Sequence, residues 1–236
     1  ESRNDNTFSP RAGVIYKPQE NVSLYLSYSE SFLPRSGEQF KSLSATSARL
    51  DPDVFESTEV GMKVALPNNM SLTAAYFDSE QVRAERDNDT GETSEVRGLT
   101  VDGFEIELKG RVNDGLNLAI AYSDLSGETS SGGIPREIPE HTLSAFAAWE
   151  VNEKLSVALG LTQQGESKIK DNTPGLVLPE YTRVDLSAYY QVAPNLSVQM
   201  NVENLMDELY FPHSHSTHQA SVGESVNSRV SLRWTY

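Results

Sequence analysis

Leu196-Ser197-Val198-Gln199-Met200-Asn201-Val202-Glu203 decides the fold. Every second residue is apolar, and those between are polar. Successive side chains of a strand point to opposite faces, so this stretch reads as a strand with one apolar and one polar face. The same alternation runs through Val22, Leu24, Leu26 and Tyr28, set against Ser23, Tyr25, Ser27 and Ser29. It returns in Leu116, Leu118, Ile120 and Tyr122, set against Asn117, Ala119, Ala121 and Ser123. A helical apolar stripe of period 3.6 is found nowhere. Working outward, the pattern predicts eleven strands, over 8–16, 22–33, 55–66, 70–85, 96–111, 116–125, 140–151, 155–166, 180–192, 196–208 and 224–236.

Alternation alone fits two folds. In a soluble sandwich the apolar face points into a core; in a membrane barrel it points to lipid. Three features favour the barrel. Connections alternate between short (17–21, 67–69, 112–115, 152–154, 193–195) and long (34–54, 86–95, 126–139, 167–179, 209–223), the arrangement of an outer-membrane barrel. Many strands reach the ~9–11 residues needed to cross a bilayer. Tyr16, Tyr28, Tyr76, Tyr122, Trp149, Tyr190 and Trp234 lie on the apolar face near strand ends, where amphipathic rings meet the membrane–water interface. Charges in mid-strand, such as Glu105, Glu107, Arg183 and Asp185, suit either a solvent face or a polar lumen and decide nothing. The expected fold is an all-β, transmembrane, antiparallel up-and-down β-barrel.

Composition narrows the function. The 236 residues carry 34 acidic and 19 basic groups, a net charge of −15, which argues against nucleic acid as a partner. There is no cysteine, so disulfides, thiolate metal sites and a cysteine nucleophile are excluded. No nucleophile elbow, Gly-rich phosphate loop or paired carboxylate site stands out, and the expectation is a protein that is not an enzyme. Topology adds a further expectation. With the C-terminus on the short-turn side, an odd strand count places the first strand's start outside. Bacterial barrels have even counts with both ends inside, so residues 1–236 are expected to be the C-terminal part of a larger barrel.

Several stretches resemble one family. Phe8-Ser9-Pro10-Arg11-Ala12-Gly13-Val14-Ile15-Tyr16-Lys17-Pro18 and Leu24-Tyr25-Leu26-Ser27-Tyr28-Ser29-Glu30-Ser31-Phe32-Leu33-Pro34 look like the mid-barrel signature of TonB-dependent siderophore receptors. Glu59-Val60-Gly61-Met62-Lys63, Gly103-Phe104-Glu105-Ile106-Glu107, Leu178 to Leu186, and Asn201 to Tyr210 are similar to the same family, in its order and spacing. Tyr210-Phe211-Pro212 before a His- and Ser-rich loop looks most like the catecholate type, whereas Gly223-Glu224-Ser225 departs from the usual Gly-x-Pro-Arg. The resemblance implies a barrel of about 22 strands, of which eleven are here. It also implies an N-terminal plug domain and TonB box, which this chain lacks. Residence in the outer membrane of a Gram-negative bacterium and import of a ferric siderophore, energised through TonB acting on the plug, follow from it too. No covalent cofactor is implied; the ferric siderophore is cargo, and outer-membrane lipid is the surrounding partner. Haem or cobalamin receptors of the same architecture, and a passive porin or structural barrel, are the alternatives.

Candidate ligand contacts lie in the long loops. Arg35 and Phe40, with Lys41 and Arg49 nearby, offer cations and an aromatic face to an anionic catecholate complex. Tyr210, Phe211, His213, His215 and His218 form the second group. Three imidazoles this close can share a metal. They equally make a polar loop, and a siderophore already surrounds its iron with oxygens, so no metal site is assigned. Asp87-Asn88-Asp89-Thr90-Gly91-Glu92 resembles part of a calcium loop, yet the same residue types make a hairpin tip. Val230, Leu232, Trp234 and Tyr236 form an apolar row ending in an aromatic, which the resemblance implies is the signal read during outer-membrane assembly.

Overall fold

The computed structural model describes residues 5–34, 51–86, 93–170, 175–214 and 216–236, with side chains except at 83–97 and 216. One antiparallel sheet of 11 strands dominates. It comprises β1 (Arg11–Gln19), β2 (Val22–Leu33), β3 (Asp53–Leu66), β4 (Met70–Arg86), β5 (Thr93–Asn113), β6 (Leu116–Thr129), β7 (His141–Glu150) and β8 (Leu155–Gln164). β9 (Ser167–Lys168) and β10 (Val177–Leu178) pair with each other in the loop that follows. The sheet resumes with β11 (Tyr181–Ala193) and β12 (Leu196–Glu203), and ends with β15 (Asn227–Trp234). β13 (His213–Ser214) and β14 (Ala220–Ser221) form a small hairpin in the last long loop. Each sheet strand pairs with its predecessor, so the topology is an up-and-down meander with β1 and β15 at its two edges.

The register turns the sequence alternation into two continuous surfaces. Val64, Leu72, Leu108, Ile120, Ala145, Leu161 and Val184 are successive cross-strand partners and make one apolar row. One residue away, Lys63, Thr73, Glu107, Ala121, Ser144, Thr162 and Arg183 make a polar row on the other face. No second layer covers the apolar face among the described residues. Leu26 and Val60 are both 52% exposed, Val230 is 62% and Leu232 73%. The buried apolar side chains among the described residues are Leu178 and Tyr210, both outside the sheet. A sandwich would bury that face against a second sheet about 10 Å away. An uncovered apolar band this long needs lipid as its solvent.

Aromatic rings mark the two edges of the band. Tyr16, Trp149, Tyr190 and Trp234 lie toward the short turns and are all exposed. Tyr28, Tyr76, Phe104 and Tyr122 lie toward the long loops, with Phe104 and Tyr122 5.7 Å apart. The three tyrosine hydroxyls reach carboxylates. Tyr76 donates to Asp102 and Tyr122 to Asp124, each at 3.2 Å, and Tyr28 donates to Glu30 at 3.4 Å. An amphipathic ring at an interface adopts this posture, with its body in the apolar layer and its hydroxyl toward water.

The strand ends differ from the periodicity in instructive ways. β4 and β5 have 17 and 21 residues, well beyond the ~9–11 that span a bilayer, so this hairpin extends past the membrane on the long-loop side. β12 stops at Glu203 rather than continuing to 208, because Asn204 turns the chain with a φ of 51° and Asp207 repeats the left-handed conformation at 53°. Asn and Asp tolerate that region better than other side chains. β15 correspondingly starts at Asn227, not 224.

Candidate functional site

Two surfaces can meet a ligand: the polar face of the sheet and the roots of the long loops. The polar face carries an open concavity of about 520 Å³, lined by Tyr25, Glu59, Lys63, Glu105, Glu107 and Ser144 among others. Its charges are organised. The Tyr25 hydroxyl donates to the Glu59 carboxylate, and the Lys63 ammonium sits 5.4 Å above the Tyr25 ring. Glu107 pairs with Lys109 at 2.7 Å. Gly61 gives the Tyr25 ring its place, since a Cβ there would fall 2.4 Å from the ring's Cζ. A polar, acidic interior wall suits a water-filled or protein-filled lumen, while the opposite face suits lipid.

The loop roots are closed by buried polar side chains. At the start of β3, Asp53 is 1% exposed and accepts a hydrogen bond from Gln81 Nε2 at 2.9 Å, beside the register shift between Gln81 and Val82. At the end of β12, Asn204 is equally buried, and its backbone N–H donates to Asp185 Oδ1 at 2.9 Å. Arg183 grips Asp185 Oδ2 through Nε at 3.1 Å and Nη2 at 2.7 Å, and donates through Nη1 to the Tyr210 hydroxyl at 3.2 Å. Three outer loops also touch one another. Glu137 accepts from the Ser214 N–H at 2.7 Å and the Ser214 hydroxyl at 3.1 Å, while its own N–H donates to the Lys168 carbonyl.

The candidate contacts are placed as follows. Tyr210 is buried at 7% exposure and tilts against Tyr181, their centroids 4.7 Å apart; it belongs to the loop root, not the exposed wall. Phe211 is half-buried. His213 is exposed, and its Nε2 shares a hydrogen bond of 2.9 Å with the Ser221 hydroxyl across the β13–β14 hairpin. His218 is exposed at the end of a single 3₁₀ turn, Ser216–His218. Arg35, Phe40, Lys41, Arg49 and His215 lie outside the described residues, as does the segment 87–92. Among the described residues no three His, Asp or Glu side chains are arranged to hold a metal ion. Val230, Leu232, Trp234 and Tyr236 all point outward on the lipid face or just beyond it. Periodicity placed Asp185 on the polar face of its strand but did not show that it, Asp53 or Asn204 closes a loop root.

An eleven-strand meander with one lipid face, one charged concave face and long loops on one side is a segment of an outer-membrane barrel wall. The chain belongs to the TonB dependent receptor-like, beta-barrel family, whose sequence model matches residues 1–205. Its place is therefore the outer membrane of a Gram-negative bacterium. A probable TonB-dependent siderophore receptor of Acinetobacter baumannii, PiuA, is 27% identical over 260 residues, covering 100% of this chain and 35% of that protein. The catecholate siderophore receptor Fiu of Escherichia coli K12 is 28% identical over 229 residues, covering 89% of this chain and 30% of that one. The crystal structure of the ferripyoverdine receptor of Pseudomonas aeruginosa, bound to ferripyoverdine, superposes with a TM-score of 0.81 at 26% identity, over 99% of this chain and 33% of that one. The chain spans about a third of the length of the curated relatives it matches.

Proposed function

We propose that residues 1–236 form the C-terminal part of the barrel of a receptor that imports a ferric siderophore in a TonB-dependent manner. The carrying observation is that the chain aligns over nearly its whole length with several receptors named for siderophores, among them a catecholate receptor. The sheet's two strand edges support a larger barrel, because unpaired backbone groups in lipid cost several kcal/mol each. In this reading the concave face holds a plug domain through which TonB acts. The outer loops contact the siderophore through Phe211, His213 and His218, and the sequence offers Arg35, Phe40 and His215 as further candidates. Aromatic faces and neutral imidazoles stack on, or hydrogen-bond to, a planar catechol without touching iron.

Growth under iron limitation tests this. A strain lacking the full-length gene loses growth on one ferric siderophore of a panel and keeps it on others, and a strain lacking TonB behaves the same way on that siderophore. Undiminished uptake of every siderophore, or uptake independent of TonB, overturns the reading.

A further inference from the structure

The last long outer loop is closed at its base by one buried amide. Asn204 Nδ2 donates to the carbonyl of Glu208 on the outgoing chain at 2.9 Å and to the carbonyl of Glu224 on the returning chain at 3.0 Å. Its Oδ1 accepts from the Glu208 N–H at 2.9 Å. Asp207 adds a second tie, accepting from the Val226 N–H at 2.9 Å. The backbone of this corner is held on β11 by the Leu205 N–H on the Val184 carbonyl and by the Asn204 N–H on Asp185. Beyond the corner, Tyr210 turns back toward the wall. Its hydroxyl receives Arg183, and its ring fills the space that a side chain at Gly223 would need, with a Cβ there falling 2.2 Å from the ring. Arg183 and Asp185 stand in the polar, lumen-side rows of β11, partnered with Thr162 and Gly160. A single connected set of bonds therefore runs from the interior wall to both ends of the loop.

We propose that Asn204, Tyr210, Arg183 and Asp185 are positioning residues. They mount the loop between Leu209 and Gly223 on the lumen side of β11, so that Phe211, His213 and His218 are presented in one fixed geometry to a ligand arriving from outside. The link to ligand rests on the siderophore-receptor reading; the mounting itself does not. Asparagine is required by its atoms. An aspartate would tolerate the same backbone conformation and fill the same volume, but it would set carboxylate oxygens against two carbonyls that need donors. Tyr210 is required for its hydroxyl as well as its ring, because only the hydroxyl reaches Arg183.

The test uses the full-length receptor, with a nitroxide on a cysteine replacing Thr217, which is exposed in the loop. Asn204→Asp and Tyr210→Phe are each expected to sharpen the nitroxide spectrum, reporting a looser loop, with the outer-membrane level unchanged for Tyr210→Phe. Radioiron uptake from ferric dihydroxybenzoate is expected to show a half-saturation concentration raised about three- to tenfold, the loss of one hydrogen bond in a positioning set, with the maximal rate kept. Asn204→Gly, which relaxes the backbone but supplies no amide, should behave like Asn204→Asp. Wild-type spectra in Tyr210→Phe and in whichever Asn204 variants assemble overturn the mounting. A loosened loop with unchanged half-saturation overturns its role in presenting residues to ligand. Loosened spectra in a receptor whose wild type takes up no ferric catecholate leave the mounting standing and refute the catecholate reading instead.

Discussion

Moving one charge by one residue along β6 tests the assignment of the two faces. Ile120 lies in the apolar row between Leu108 and Ala145, between the two aromatic edges of the band. Ala121 is its immediate neighbour, but its cross-strand partners are Glu107 and Ser144, and it lines the 520 Å³ concavity. Ile120→Arg puts a guanidinium into hydrocarbon near mid-depth, at a cost of about 2–4 kcal/mol. Ala121→Arg puts the same group into a polar space facing a carboxylate, where an exposed ion pair contributes about 0–1 kcal/mol in its favour. The expected difference between the two variants is therefore at least about 2 kcal/mol, or roughly thirtyfold in a folding equilibrium. Full-length receptors carrying each change are unfolded by guanidinium in phospholipid vesicles, and their outer-membrane levels are compared. Ile120→Arg should show the lower midpoint and the lower membrane level. Equal midpoints, or a greater loss in Ala121→Arg, would falsify the facing assignment and with it the barrel reading of the polar row.

Three further outcomes follow from contacts on the two faces and in the loop. Gly61→Ala should push the outer end of the Tyr25 ring aside and break its bond to Glu59, costing about 0.5–1.5 kcal/mol, and in a Tyr25→Ser background the same alanine should cost less; thermal melts of the purified single and double variants check both. Deleting Tyr236 should lower the outer-membrane level of the full-length protein more than its synthesis, and equal assembly would leave the row Val230, Leu232, Trp234 and Tyr236 as lipid contact alone. Replacing His213, His215 and His218 together with alanine should weaken siderophore binding modestly, about 0.5–1.5 kcal/mol for each lost hydrogen bond. Normal uptake at normal surface level would make them ordinary loop residues, while loss of iron from bound siderophore would instead point to direct ligation.

The wall was legible in the sequence and the loop roots were not, for a physical reason. A strand's face is set by a rule of period two, so Leu196 to Val202 on one side and Ser197 to Glu203 on the other could be assigned from identity alone. Even the sheet's two aromatic edges follow from that rule, since Tyr76 and Trp149 share parity with their apolar neighbours. Which solvent covers the apolar face does not follow from parity. It followed from the lengths of the connections, and the structure supplied the missing physical fact that no described residue packs over Val60 or Leu232, which stay 52% and 73% exposed. Loop roots obey no period. Asp53 meets Gln81 across 28 residues, and Asn204 meets Glu224 across 20, so each partnership depends on a register that composition does not encode.

Tyr210 illustrates the difference. An aromatic beside Phe211 and three histidines, in a long outer loop, has the composition of a binding wall. Burial gives it a supporting position as well: the ring packs between Tyr181 and Gly223, its hydroxyl is on Arg183, and 7% of it is exposed. The residues that shape such a loop and the residues that touch its ligand are drawn from the same amino-acid types, because both need rigid rings and well-placed donors. Their position in the turn separates them. Asn204 and Asp207 both take the left-handed backbone, so β12 ends at Glu203 and the chain leaves the sheet. Beyond that turn Tyr210 packs back on Tyr181 and receives Arg183, and the corner that ends the strand also mounts the loop.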